Sequence, residues 1–496
     1  MNDSHSFALY FGRELKRWNK ERGRFNRMNG TQETGKTFGL WILTALVLGN
    51  MVGSGIFMLP RTLAETAGPF GVIAAWLVTG AGVLALALTF GSLALRKPEL
   101  NGGPQLYAQA LFGMKGEGGR FAGYLASWGY WVANWAGNVS LIITFTSYLS
   151  VFFPMMNNGE TLFSVGAFTV KTGNAITFCI SSLLLWLMYA LISQGVEGAG
   201  RLNFWATAAK VGGFVLLLIA GLALFDANHM LPLLQERTVD GKSLSLGSQI
   251  NHGAINTLWA FIGVESAVVF SSRARRKEDV KKATMLGLFI ALVIYLGITL
   301  LVMGALPQDK LMASASPLAE VLGVFVGTAG EYVMAGLGLL AMIGSMLGWI
   351  LLSAEVPYQS GKMGLFPPVM KRVNGNGVPI TGLVLTCVMM QVLLVSLLSK
   401  TIGEGFDFII LIATLAFLIP YLFSSLFLVK MVLSGDGYSG RSDRLTDGIV
   451  GMLAFLYSLW MVKAGTADMK TFLLGMAFIF SGVLFYPFVR KSLKRN

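Results

Sequence analysis

Twelve stretches of this 496-residue chain stay apolar over the length a bilayer crossing requires, about 20 residues each. They lie near residues 38–59, 71–94, 123–152, 175–193, 204–224, 254–270, 283–306, 330–354, 378–398, 406–429, 446–463 and 471–489. Hydrocarbon offers no water, so each stretch must satisfy its own backbone groups, which a helix does. The expectation is an all-α integral membrane protein with 12 transmembrane helices. Composition agrees: 54% of residues are hydrophobic and 13% charged, about half the charged share of soluble domains. The first stretch follows a long polar tail and has no small-residue cleavage site after it, so it is read as a span and not as a signal peptide. Cys179 and Cys387 both fall inside spans and are no plausible disulfide pair.

A net charge of +13 could point to nucleic acid, but its placement points to a membrane. With the N-terminus in the cytoplasm, 29 of the 38 Lys and Arg fall in inside segments and 8 in outside loops, with Lys210 in a span. That asymmetry is the positive-inside pattern. It implies a multi-pass protein of the cell membrane with both termini cytoplasmic. Three regions follow: a basic cytoplasmic tail over 1–37, a core over 38–430, and two further spans with a cytoplasmic C-terminus over 431–496. The basic run from Arg273 to Lys282 is a topology anchor first, with an anionic-lipid or regulatory role as the alternative. In the tail, Phe11, Leu15 and Trp18 would share one side of a surface-lying helix; a tail without fixed structure is the other reading.

Within the first span stands Gly49-Asn50-Met51-Val52-Gly53-Ser54-Gly55-Ile56-Phe57. Three glycines in seven residues, with Asn and Ser among them, are poor material for an unbroken helix. A helix that unwinds there frees N–H groups and turns the positive end of its second half toward the gap, a place for a carboxylate. The plainer alternative is a glycine face against which another helix packs. Five spans later, Trp259-Ala-Phe-Ile262-Gly263-Val264-Glu265-Ser266 again places a glycine mid-span, followed closely by an acid. Interruptions at spans one and six are what a five-plus-five inverted repeat requires; the last two spans would stand outside it.

The segments Gly49 to Pro60, Trp131 to Asn138, Trp259 to Ser266, and Gly348-Trp349 with the following Ser353-Ala-Glu-Val-Pro357 and Gly364-Leu-Phe-Pro-Pro368 together resemble a known family. In order and spacing, over residues 38–430, they are similar to the basic amino acid/polyamine antiporters of the amino acid–polyamine–organocation superfamily. Within that family the match looks most like arginine/ornithine antiporters. The resemblance implies the ten-helix inverted-repeat fold with broken helices one and six and two extra helices. It implies alternating-access exchange of cationic amino acids, arginine for ornithine first, with lysine exchange or proton-coupled uptake as the alternative. It also implies roles for particular residues. Ser54 and Gly55, flanked by Asn50 and Gly53, would take the substrate carboxylate. Carbonyls at Met51, Trp259 and Ile262 would accept its α-ammonium. Trp259 and Trp349 would cover its stem and cationic head, while Ala133, Asn134 and Asn138 would meet the distal cation. The agmatine-exchanging relative has a thiol in place of Asn134 and an amide in place of Glu355, which leaves the substrate pair open.

Three ionisable groups are read inside the spans, where charge is costly and so tends to be functional. Glu265 would pair with the substrate cation, gate the pathway or carry a proton; the resemblance ties it to gating and proton sensing. Glu355 is either a second such acid or a helix-end carboxylate in water. Lys210 resembles the lysine that stands in for a sodium ion beside span one in sodium-independent members; its alternative is snorkelling to an interface. No phosphate-binding Gly-x-x-x-x-Gly-Lys-Ser/Thr loop occurs, which excludes an ATP-driven pump, and no repeated pore loop suggests a channel. The chain is not expected to be an enzyme or to hold a cofactor or metal. Its expected partners are a basic amino acid and the lipid bilayer, not nucleic acid, with a homodimer left open. A receptor on the same fold, binding without transport, is the remaining competitor.

Overall fold

The computed structural model describes residues 39–494 apart from 101–102, 167, 196–198, 240, 270, 272–273 and 439. The basic tail with its expected surface helix, and Arg273 of the basic cluster, lie outside the described residues.

The described residues are mostly helical. The helices are α1 (Leu40–Met51), α2 (Gly55–Thr66), α3 (Pro69–Arg96), α4 (Pro104–Phe112), α5 (Glu117–Leu149), α6 (Thr172–Ser193), α7 (Ala199–Leu224), α8 (Leu246–Phe261), α9 (Ser266–Val269) and α10 (Lys277–Ala305). They continue as α11 (Gln308–Ala313), α12 (Pro317–Val326), α13 (Thr328–Lys362), α14 (Ile380–Leu394), α15 (Ile402–Ser434), α16 (Arg441–Gly465) and α17 (Met469–Lys494). Two small antiparallel hairpins depart from the all-α expectation. Strands β1 (Thr161–Val165) and β2 (Phe168–Lys171) pair before α6, and β3 (Arg237–Val239) and β4 (Lys242–Leu244) pair before α8.

Among the described residues nine helices are long and apolar enough to span a bilayer, and ten when the bent pair α1–α2 is taken as one. The expected spans at 123–152 and 254–270 coincide with α5 and with the pair α8–α9 but are less apolar. For α5 the reason is burial. Every residue from Gly129 to Thr144 is buried, so this helix meets protein on all sides and not lipid. Gly, Ala and Ser along it let neighbouring backbones approach. Its polar side chains turn inward on its own carbonyls, with Asn134 donating to Tyr130 O at 2.6 Å and Thr144 to Ser140 O at 2.8 Å.

The first break follows from its sequence. Helix α1 stops at Met51, α2 starts at Gly55, and the two axes differ by 48°. The second lies between Phe261 and Ser266. There Gly263 takes φ +104°, a conformation costly to residues with a Cβ. A Cβ on Gly263 would also stand 3.1 Å from the backbone carbon of Asn50, so this glycine lets the two breaks touch. Asn50 Nδ2 reinforces the contact by donating to Ser266 Oγ at 2.7 Å.

The last two helices attach to different parts of the core. On α16, Trp460 donates to Asn251 Oδ1 of α8 at 3.1 Å, and buried Asp447 accepts from Ser92 and Arg96 of α3 at 2.9 and 2.6 Å. On α17, carbonyls of Phe478 and Gly482 accept from Trp128 and Tyr124 of α5.

Candidate functional site

Where the two breaks meet α5 and α13, a small cavity opens. Asn50, Met51, Gly53, Ser54 and Gly55 line it from the first break, and Trp259, Ala260 and Ile262 from the second. Helix α5 adds Ala133, Asn134, Gly137 and Leu141, with Trp349 from α13 and Phe417 from α15 closing it. At about 30 Å³ it has room for a water or two. An amino acid does not fit that volume as it stands; the half-buried Trp259 and Trp349 are the largest side chains in the wall.

The first break is held from two directions. Ser54 Oγ lies 2.8 Å from Ser140 Oγ, which in turn donates to Gly137 O at 2.7 Å. Ser54 bonds no backbone N–H of its own helix, so the first amides of α2 are not capped by that hydroxyl. Lys210 of α7 donates to Val52 O at 2.9 Å, a carbonyl the interruption has taken out of the helical ladder. Lys210 is thus in contact with span one and does not snorkel to an interface.

Trp259 is seated by two glycines. A Cβ on Gly137 would fall 2.7 Å from the far edge of its indole, and one on Gly55 would fall 3.4 Å from the near edge. Asn134 lines the cavity, and among the described residues its Oδ1 has no hydrogen-bond partner. A buried amide oxygen without a donor is costly to leave so; beside a cavity it offers a free acceptor.

Besides Lys210, three of the residues expected at the site are not in its wall. Asn138 lies one turn beyond Asn134, but its amide donates to Asn134 O at 2.9 Å and to Ser353 Oγ of α13 at 2.8 Å. Glu265, fully buried, accepts from Tyr130 at 3.0 Å, Tyr421 at 2.7 Å and the Gly263 N–H at 3.2 Å. It therefore joins the second break to α5 and α15, behind the cavity. Glu355 is half-buried on α13 and accepts from Gln359 one turn on. Of the wall residues not expected, Gly137 and Ala260 belong to the Trp131–Asn138 and Trp259–Ser266 motifs already quoted, whereas Leu141 and Phe417 carry no signal in the sequence. A further ionic group was also missed. Arg61 of α2 pairs with Glu65 and, at 3.5 Å, with Asp407 of α15, which also accepts from Thr62 at 2.8 Å.

The comparison with protein families decides the assignment: residues 38–488 match the amino acid permease model. The chain belongs to the amino acid permease family. With it comes the superfamily's inverted-repeat fold, in which α1–α2 and α8–α9 are the interrupted helices. The permease is 47% identical over 94% of its length to a Bacillus subtilis (strain 168) protein named, provisionally, an arginine/ornithine antiporter, of which 99% is covered. It is 35% identical over 88% of its length to the arginine/ornithine antiporter of Pseudomonas aeruginosa, of which 87% is covered. An arginine/agmatine antiporter of Chlamydia abortus is 32% identical over 92% of this permease, with 90% of the relative covered.

Proposed function

We propose that this permease is a secondary transporter of cationic amino acids that exchanges arginine for ornithine by alternating access. The observation carrying this reading is the single cavity shared by both helix breaks, walled by two tryptophans and an unpartnered amide oxygen. In this reading the amides at Ser54 and Gly55 and the Ser54 hydroxyl take the substrate carboxylate, where the α2 dipole favours negative charge. Carbonyls of Met51, Trp259 and Ile262 accept the α-ammonium. The side-chain cation rests on the Trp259 and Trp349 faces, a contact worth about 2 kcal/mol when desolvated, and on Asn134 Oδ1. Cation selection thus comes from π faces and carbonyl oxygens, because no carboxylate lines the cavity among the described residues. Glu265 and its two phenols form a gating and proton-coupling group at the second break, with Lys210 bracing the first. Asn138 positions Asn134, and Glu355 modulates the far end of α13. With α5 and α8–α9 counted, twelve spans would put both termini on one side, which the charge asymmetry makes the cytoplasmic one.

The test is counterflow in proteoliposomes. Vesicles loaded with ornithine should accumulate labelled arginine, and external leucine or glutamate at equal concentration should not compete. Accumulation driven by internal lysine and not ornithine would reassign the pair. An absence of counterflow with intact arginine binding would make the protein a receptor.

A further inference from the structure

Between the end of α15 and the start of α16 lies an open groove of about 590 Å³, on the side the charge asymmetry turns toward the cytoplasm. Its lining divides by chemistry. Arg441 and Arg444 stand at its mouth, and Leu445, Ile449, Met452 and Leu453 continue it along α16. Arg444 is fixed there, donating through Nε to Val432 O at 2.6 Å and through Nη2 to Leu433 O at 2.9 Å. Both carbonyls belong to the last turn of α15, where Val432 O also accepts the Gly435 N–H at 3.3 Å. Arg441 is exposed and, among the described residues, has no hydrogen-bond or ion-pair partner.

The acids nearby are committed to other partners. Asp443 pairs with Arg96 at 3.7 Å, Asp436 with Lys97 at 2.7 Å, and Asp447 is buried beneath Arg96, Ser92 and Tyr438. Two guanidinium groups therefore meet the interface with no carboxylate among the groove's lining residues. Below them, four exposed apolar side chains at a spacing of three to four residues form one face of the helix. A cationic mouth at the interface over an apolar floor in the hydrocarbon complements one kind of molecule: an amphiphile with an anionic head.

We propose that this groove is a binding site for an anionic phospholipid, with its phosphate on Arg441 and Arg444 and an acyl chain along Leu445, Ile449 and Met452. Basic pockets between spans on the cytoplasmic side bind such head groups by attraction that adds for each cation. The site is separate from the substrate cavity, so it stands or falls independently of the exchange reaction.

Native mass spectrometry of the full chain tests it, with phosphatidylglycerol and phosphatidylcholine of identical acyl chains supplied in equal amounts. The wild type should retain phosphatidylglycerol preferentially. Arg441→Gln/Arg444→Gln should lower that preference about tenfold or more, the loss expected for two interfacial cations. Because Arg444 also holds the end of α15, Arg441→Gln alone gives the control for folding and should lose part of the preference. Ile449→Trp fills the apolar track with both arginines intact and should reduce retention of the lipid. An excess of soluble glycerol phosphate should displace little of it. Equal retention of both lipids by the wild type, unchanged retention in the variants, or full displacement by glycerol phosphate would each overturn the proposal.

Discussion

Ser54 shows how a single residue ties sequence to site. It is buried at 2% exposure, bonded to Ser140 and set where α2 begins. Ser54→Lys places an ammonium in the cavity where the substrate's own cation or stem must lie. An uncompensated buried charge costs about 3–5 kcal/mol, so arginine affinity should fall by at least about 100-fold. Calorimetric binding within threefold of wild type would remove the site from this break. Glu265 invites the complementary test, since Gln keeps its size and loses only its ability to ionise. Glu265→Gln should leave a folded, reconstitutable protein whose counterflow no longer varies with pH; a wild-type pH profile would rule out the proton role. What was legible at this scale is uneven. Asn134 and Asn138 are four apart and so share a helix face, but that Asn138 would be drawn off by Ser353, 215 residues away, cannot be read from spacing. The same holds for Tyr130 and Tyr421, whose hydroxyls turn Glu265 from a wall residue into a junction.

Among the elements, the two interruptions were readable because glycine has a backbone consequence whatever surrounds it. Gly263 carries that consequence furthest, with its positive φ and its backbone against Asn50. Gly263→Ala should cost about 1–3 kcal/mol in the strained conformation and part the two breaks. The expected result is a lower thermal unfolding midpoint in detergent together with loss of arginine counterflow. Retention of both would mean that the breaks need not touch. The helix boundaries were less legible. Helices α13 and α15 run well past the apolar stretches that announced them, because their ends leave the hydrocarbon and turn polar while the helical ladder continues. The β1–β2 and β3–β4 hairpins and the short helices α4, α11 and α12 gave no warning, being too brief for periodicity to register.

At the level of the whole molecule, the repeat architecture was announced by where the breaks fall, while the attachment of α16 and α17 to separate parts of the core was not. The contact that organises the centre is Lys210 to Val52. Lys210→Ala should impair counterflow severely although the residue lies outside the cavity wall, and wild-type counterflow should proceed at full rate in sodium-free buffer. A requirement for sodium would mean that Lys210 is not the cation bracing span one. The contact also has a bearing on energetics. A cation that is covalently part of the chain has no dissociation constant: dilution cannot strip it, and the ionic make-up of the medium cannot titrate it. Since it never leaves, it contributes no driving force either. The free energy for moving one amino acid inward comes instead from the gradients of whatever crosses with it: the amino acid moving out, and any proton that Glu265 carries.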